Sequence, residues 1–358
     1  MRGWLINVID YIYLQSAMPA ALPSPLPTET VSISAVAAHA GVSVATVSRV
    51  MNEQAGVRAP TRDKVLASVA ALGYRMNHLA RSLRTAESRM LLTMVPDVGN
   101  PFYAQIVRGI DTVAREHGYF VLLCDTGADA GRERSYFDLL RMHRADGAIC
   151  LDPDTVQHAL SHESVSLPWV ACCEFDPAVA VPYVGIDNHR AASDAVAHLL
   201  SRGHTRIGLI NSDERYLYAR QRQQGYLDTL KAAGLPVQPQ WVHTVQSLDY
   251  EAGTAATLRM MAQPDAPTAI FAVSDTLAIG VLSALRQLNK RVPEDVAVIG
   301  FDDIAIAAQI DPGLTTIAQP MRELGETAAR LLLQRLADPA ASVPGVLLQH
   351  QLILRGSA

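Results

Sequence analysis

SISAVAAHAGVSVATVSRVMN (residues 32–52) holds two short helical patterns on either side of a glycine, and its reading decides how the first part of the chain folds. Ser32 is placed to cap a helix whose apolar face is Ile33, Val36 and Ala37. Gly41 suits the turn, because a residue without Cβ enters the left-handed region freely. Ser43 then caps a second helix in which Val47 and Val50 face inward, leaving Val44, Ala45, Thr46, Ser48 and Arg49 outside. A face of small or hydrogen-bonding side chains suits entry into a DNA major groove; an ordinary helical hairpin with a solvated face is the alternative. A third helix is predicted over RDKVLASVAALG, capped by Thr61 and ended by Gly73.

Charge separates this end from the rest. The 358 residues carry a net charge of -5, yet residues 31–90 hold eight basic side chains against three acidic ones, a net of +5. Residues 91–358 come to -9. Three small helices with net positive charge can dock on phosphates. Ahead of them, residues 1–30 have a basic start, an apolar middle and the Pro-rich run ALPSPLPTET, which loosely imitates a signal peptide. Asn7 and Asp10 interrupt the apolar part, so a disordered extension, or a true start at Met18, is expected. No apolar run reaches the ~20 residues needed to span a bilayer. Cys124, Cys150, Cys172 and Cys173 lie in apolar runs without CxxC or Cys/His ligand spacing, which reads as buried reduced thiols of a cytoplasmic protein.

From residue 90 onward nine β-branched or aliphatic runs (90–97, 119–125, 147–152, 168–175, 183–188, 206–212, 241–245, 269–275 and 296–303) alternate with amphipathic stretches. Such alternation means parallel sheets with helices on both faces, and so many units predict two α/β lobes. Several runs end in polar residues, among them Asp97, Asp125, Asp187, Ser274 and Asp302, which places the expected site in a cleft beyond the carboxyl ends of the strands. Dinucleotide loops, phosphate loops, metal-binding His pairs and nucleophile elbows are all missing from the sequence, so a binding protein without catalytic function or cofactor is expected.

AGVSVATVSRVMN, TRDKVLASVAALGY, LARSLR, RGHTRIGLI, VPEDVAVIGFDD, LTTIAQP and LILRG occur in the order seen in the lactose/galactose repressor (LacI/GalR) family of bacterial transcription regulators, which the chain resembles from about residue 32 to its end. The resemblance implies an all-α helix-turn-helix headpiece (31–76), a hinge helix and linker (77–89), and a two-lobed, periplasmic-binding-protein-like core of two doubly wound parallel sheets (90–358). It implies a homodimeric repressor whose partners are double-stranded DNA with a palindromic operator and a small-molecule effector. A stand-alone solute-binding receptor would share the core but lack residues 32–85.

By motif position, Val44 and Ala45 read operator bases, and Ser43, Thr46, Ser48 and Arg49 contact bases or phosphates nearby. The Val-Ala pair is similar to that of galactose-type repressors. It suits thymine methyl groups and excludes arginine-to-guanine readout from these two positions. In the stretch NHLARSLRT (77–85), the resemblance makes Leu83 a wedge inserted into the minor groove, with Asn77, Arg81 and Arg84 beside it. Two departures from the family are Ala35, where an acidic residue is common, and Met76, where a proline often precedes the hinge asparagine. In the core, the resemblance assigns the effector to Phe102 and Tyr103 by stacking, and to Asp187, Arg222, Ser274 and Asp302 by hydrogen bonding. Leu248 occupies a place where an aromatic residue is frequent. Through PDVGNPFYAQIVRGIDTVAREHGYFVLL, FDPAVAVPYVGIDN and DPGLTTIAQP the core looks most similar to the cytidine repressor branch of that family, so a nucleoside or sugar effector is expected.

Overall fold

The computed structural model describes residues 31–52, 54–74, 87–151, 167–175, 181–340 and 343–358. They belong to two compact units, one within residues 1–80 and the other within 81–358. The expected N-terminal extension, and Asn77, Arg81, Leu83 and Arg84 of the expected hinge, lie outside the described residues.

The first unit contains α1 (Ile33–Ala40), α2 (Val44–Met51) and α3 (Ala59–Leu72). Ser32 Oγ accepts the Ala35 amide at 3.2 Å, so α1 is capped although its first turn has no acidic residue. Gly41 ends α1 at φ 61°, and α2 leaves at 105° to α1. Val36, Ala37, Ala40, Val47, Val50 and Val65 form the small core. One boundary differs from expectation: α3 begins at Ala59, and Thr61 lies inside its first turn rather than capping it. Pro60 explains the shift, since its fixed φ and missing N–H favour the first helical positions.

The second unit consists of two α/β lobes. Lobe 1 is a parallel sheet of β1 (Met90–Val95), β2 (Phe120–Asp125), β3 (Gly147–Cys150), β4 (Trp169–Cys172), β5 (Tyr183–Ile186) and β11 (Val346–Leu348), in the order β11-β5-β4-β3-β1-β2. Lobe 2 contains β6 (Ile207–Asn211), β7 (Val242–Thr244), β8 (Ala269–Ala272), β9 (Ala297–Asp302), β10 (Thr315–Ala318) and β12 (Gln351–Ile353), in the order β12-β10-β9-β8-β6-β7, with only the β10/β12 pair antiparallel. All nine predicted runs are strands. The central ones are buried on both faces, as their unbroken apolar character requires.

The helices flanking these sheets are α4 (Pro101–Glu116), α5 (Ala130–Arg141), α6 (Asn188–Ser201), α7 (Leu217–Ala232), α8 (Tyr250–Met261), α9 (Asp275–Gln287) and α10 (Met321–Ala337). The chain crosses between lobes after β5, after β10 and after β11. On lobe 1, α4 and α10 touch backbone to backbone: a Cβ at Gly109 would meet the Arg322 carbonyl at 2.1 Å. A carboxylate anchors the chain where it enters this lobe. Asp146 accepts the Ser88 amide at 2.6 Å and the Arg89 amide at 2.9 Å.

In each lobe the strand order reverses between two neighbours, β1 and β3 in lobe 1 and β6 and β8 in lobe 2. At such a point the helices that follow leave toward opposite faces, and a crevice opens beyond the strand ends.

Candidate functional site

The outer face of α2 is built as its sequence pattern requires. Ser43 Oγ accepts the Thr46 amide at 3.1 Å and lies 2.9 Å from Thr46 Oγ1, so the first turn is closed by its own side chains. Val47 is fully buried and Val50 nearly so, while Val44, Ala45 and Arg49 are exposed and Thr46 and Ser48 half-buried. Asn52 Nδ2 donates to the Ser48 carbonyl at 2.7 Å and closes the other end. A short helix with a methyl-rich leading edge and one arginine is left facing outward.

In the second unit a cavity of about 450 Å³ lies between the lobes, lined by the ends of β1 and β3 on one side and of β6, β8 and β9 on the other. Arg222, from α7, is its buried centre. Its Nε donates to Asn188 Oδ1 at 2.9 Å and a terminal nitrogen to the Val273 carbonyl at 2.5 Å. The guanidinium lies 3.5 Å from the Phe301 ring centroid and 4.9 Å from that of Tyr218. Burial lowers its pKa, with the nearby Asp302 opposing. Asp302 ends β9 at φ 117°, a conformation unusual for a side-chain-bearing residue, and accepts a bond from Gln319 Nε2 at 2.8 Å. Asp303 follows at φ 61° and is held by Arg355 at 2.7 Å. Two ion-pairing or hydrogen-bonding partners thus hold a strained turn that aims Asp302 into the cavity.

Six of the seven core residues singled out in the sequence line this cavity: Phe102, Tyr103, Arg222, Leu248, Ser274 and Asp302. Asp187 does not. It is exposed at the first crossover, where its carboxylate caps α6 by accepting the Arg190 amide at 2.9 Å. A polar residue at a strand end serves equally as the cap of the next helix, and here the cap is its observed role. Ser274 has both relations, lining the cavity and capping α9 through the Leu277 amide. Phe102 is buried against Tyr103 edge-to-face, so its ring belongs as much to the lobe 1 core as to the cavity.

Sequence reasoning missed Glu174, Tyr216, Tyr218 and Gln319, all of which line the cavity. The two tyrosines stack at 5.5 Å between centroids and bring aromatic surface that Leu248 does not provide. Their spacing of two residues around Leu217 was a visible signal, but only the start of α7 turns both rings the same way.

Glu174 is buried, and burial pushes its carboxyl up to about 7 against the pull of the Leu217 and Tyr218 amides, Arg220 and Arg222. Burial also pushes Asp302 up to about 7, opposed by Arg222 and Gln319. Both acids hold protons more tightly folded than unfolded, so their contribution favours the fold at low pH and is lost as pH rises through about 7. The melting temperature of the core is therefore expected to fall between about pH 4, where these carboxyls ionise in the unfolded chain, and about pH 7, and to level off above it. In a Glu174→Gln, Asp302→Asn double variant that slope should flatten; an unchanged slope would assign it to other groups.

Comparison with known proteins agrees with this geometry. Residues 32–77 match the model for bacterial regulatory proteins of the lacI family, and residues 196–358 match that of a periplasmic binding protein-like domain. The chain is 38% identical to the HTH-type transcriptional repressor CytR of Escherichia coli K12 over 323 residues, covering 90% of this chain and 94% of that one. It is 36% identical to the ribose operon repressor of the same organism over 330 residues, covering 90% and 98%. The lac repressor dimer bound to operator and an anti-inducer superposes with a TM-score of 0.82 at 28% identity, covering 91% of this chain and 98% of that one. With a helix-turn-helix headpiece, two parallel-sheet lobes enclosing a cleft, and these relatives along nine-tenths of its length, the chain belongs to the lacI family of bacterial regulatory proteins: it is a DNA-binding transcriptional repressor with an effector-binding core, and not an enzyme.

Proposed function

We propose that the protein acts in the cytoplasm as a homodimer on a palindromic operator, through the headpiece (31–76) and hinge (77–89), and that its core (90–358) takes an uncharged nucleoside or related pentose-containing effector. The observation that carries the effector class is the charge of the cleft. Among the described residues, Asp97, Asp125 and Asp249 line it together with the buried Glu174 and Asp302, whose carboxyls are pushed up to about 7, against Arg132 and Arg222. Such a lining repels a phosphorylated ligand and accepts hydroxyl and amino groups. Tyr103, Tyr216 and Tyr218 give the lining aromatic surface suited to a flat ring, and the volume lies within the range of small-molecule sites. The likeness to a ribose operon repressor supports a pentose.

Apolar surface supports the dimer. At the edge of the lobe 1 sheet, β2 exposes Phe120, Leu122 and Leu123, Phe120 at 67%. On lobe 2, Tyr250 and Leu258 are exposed beside the partly buried Ile279 and Leu282. Bare apolar edges are unusual on a lone soluble chain and suit burial against a second copy.

An effector changes operator affinity only by binding two arrangements of the core unequally. Closure of the lobes would then alter the spacing of the two hinges across the dimer. Gel-shift binding to a palindromic fragment from the protein's own promoter region, at several salt concentrations, tests the DNA reading; binding without sequence preference would sink it. Scanning fluorimetry with nucleosides, nucleoside monophosphates and hexoses tests the effector. Stabilisation by nucleosides alone is expected, and a response confined to hexoses or phosphates would defeat the assignment.

The wedge has its own test. Leu83→Ala should weaken specific operator binding roughly 5- to 140-fold, the scale of the ~1–3 kcal/mol carried by one specific position, and reduce DNA bending. Effector affinity should stay unchanged. Unaltered bending would contradict the wedge.

A further inference from the structure

Helix α7 begins without a cap of its own. Tyr216, at its N-cap, makes no side-chain hydrogen bond to the first turn. The leading amides of Leu217 and Tyr218 are met by Glu174, one carboxylate oxygen each, the second at 3.1 Å. Glu174 sits two residues past the end of β4 in lobe 1, whereas α7 packs on β6 and α6 in lobe 2. Among the described residues, both side-chain hydrogen bonds of Glu174 therefore cross the cleft. An apolar contact does the same: Leu217 packs against a group of buried lobe 1 side chains that includes Trp169 and Phe175.

These observations have one physical consequence. The first amides of a helix have no partner inside the helix, and an anion there is favoured by the helix dipole. Lobe 1 supplies that anion to lobe 2 only while the two lobes stand as they do here. If they part, the amides and the carboxylate must find water instead, and Leu217 loses its packing. We propose that Glu174 is a closure latch: by capping α7 across the cleft, it sets the balance between open and closed lobes on which an effector acts. This rests on the reading of the cleft as the effector site. Glu174 is a positioning residue in this role, since it acts on the effector through the arrangement of the lobes.

The latch is tested with the full chain as Glu174→Ala and Glu174→Gln. In effector-free protein, Glu174→Ala should give a larger radius of gyration by solution scattering and faster amide hydrogen exchange at residues 217–218, by about tenfold. If the closed fraction falls tenfold, apparent effector affinity weakens about tenfold. Glu174→Gln, which keeps one carbonyl acceptor, should lie between the two. Unchanged scattering and unchanged exchange in Glu174→Ala would overturn the latch. Should Glu174→Ala not fold, exchange at 217–218 in Glu174→Gln decides: protection equal to the wild type overturns it. Expansion and faster exchange in a protein that answers no nucleoside or sugar would leave the latch standing and sink the effector reading instead.

Discussion

Arg222→Met is expected to abolish the effector response while operator binding by the effector-free protein stays within a few-fold of normal. Methionine keeps an unbranched apolar side chain at the position, and the substitution removes the guanidinium that lies over Phe301 with its charge and its bonds. Asn188 Oδ1 and the Val273 carbonyl then lose their donor, and Asp302 loses the cation that offsets its burial. Truncating one member of a buried, hydrogen-bonded charged set costs about 2–5 kcal/mol in binding. At 1.4 kcal/mol per decade that is a loss of roughly 30-fold to more than 1,000-fold in effector affinity. The headpiece is a separate compact unit with its own core, so its contacts with DNA are not touched directly. Calorimetric titration and gel shifts on the same preparation measure both quantities. Wild-type effector affinity in Arg222→Met would remove the cleft reading at its centre.

The second large effect comes from two valines three residues apart on α2. Val47→Asp is expected to unfold the headpiece, because Val47 is fully buried in a core of six apolar side chains. So small a domain rarely holds more than ~3–5 kcal/mol of stability. An unpaired buried carboxylate costs several kcal/mol, comparable to that whole margin. Val44→Asp, by contrast, places the same charge on the exposed edge and should leave the fold intact. Operator binding should be lost in both variants, for different reasons: no folded headpiece in the first, a carboxylate against DNA in the second. Circular dichroism and melting of the headpiece separate them. A Val44→Asp protein that still binds its operator normally would show that this face of α2 does not meet DNA.

Legibility in the sequence followed the range of the forces involved. The caps at Ser32 and Ser43, the left-handed Gly41 and the inward Val47 and Val50 are consequences of neighbours within four residues, and the structure has each of them. Strands β10, β11 and β12 went unrecognised, for they are three or four residues long and are strands only because a partner pairs with them. Thr61 was misread as a cap because a proline one position earlier already favoured the helical turn. Asp187 illustrates a deeper ambiguity. A carboxylate between a strand and a helix looks the same whether it meets a ligand or caps the helix, and only its exposure and the Arg190 amide decide.

From the sequence by itself came the helix-turn-helix with its outward residues, the alternation that demands two parallel-sheet lobes, and the placement of a site at the strand ends. All three depend on periodicity and local capping, which a chain carries in its own order. The tertiary structure alone decided that Arg222 is buried between Asn188, Val273 and Phe301, that Tyr216 and Tyr218 face the cavity, and that Glu174 caps a helix of the opposite lobe. Those relations join residues more than thirty positions apart, and that of Glu174 also spans the first chain crossing. Buried charges and orphaned helix amides take whatever partner the packed fold brings to them, within one lobe for Arg222 and across the two for Glu174.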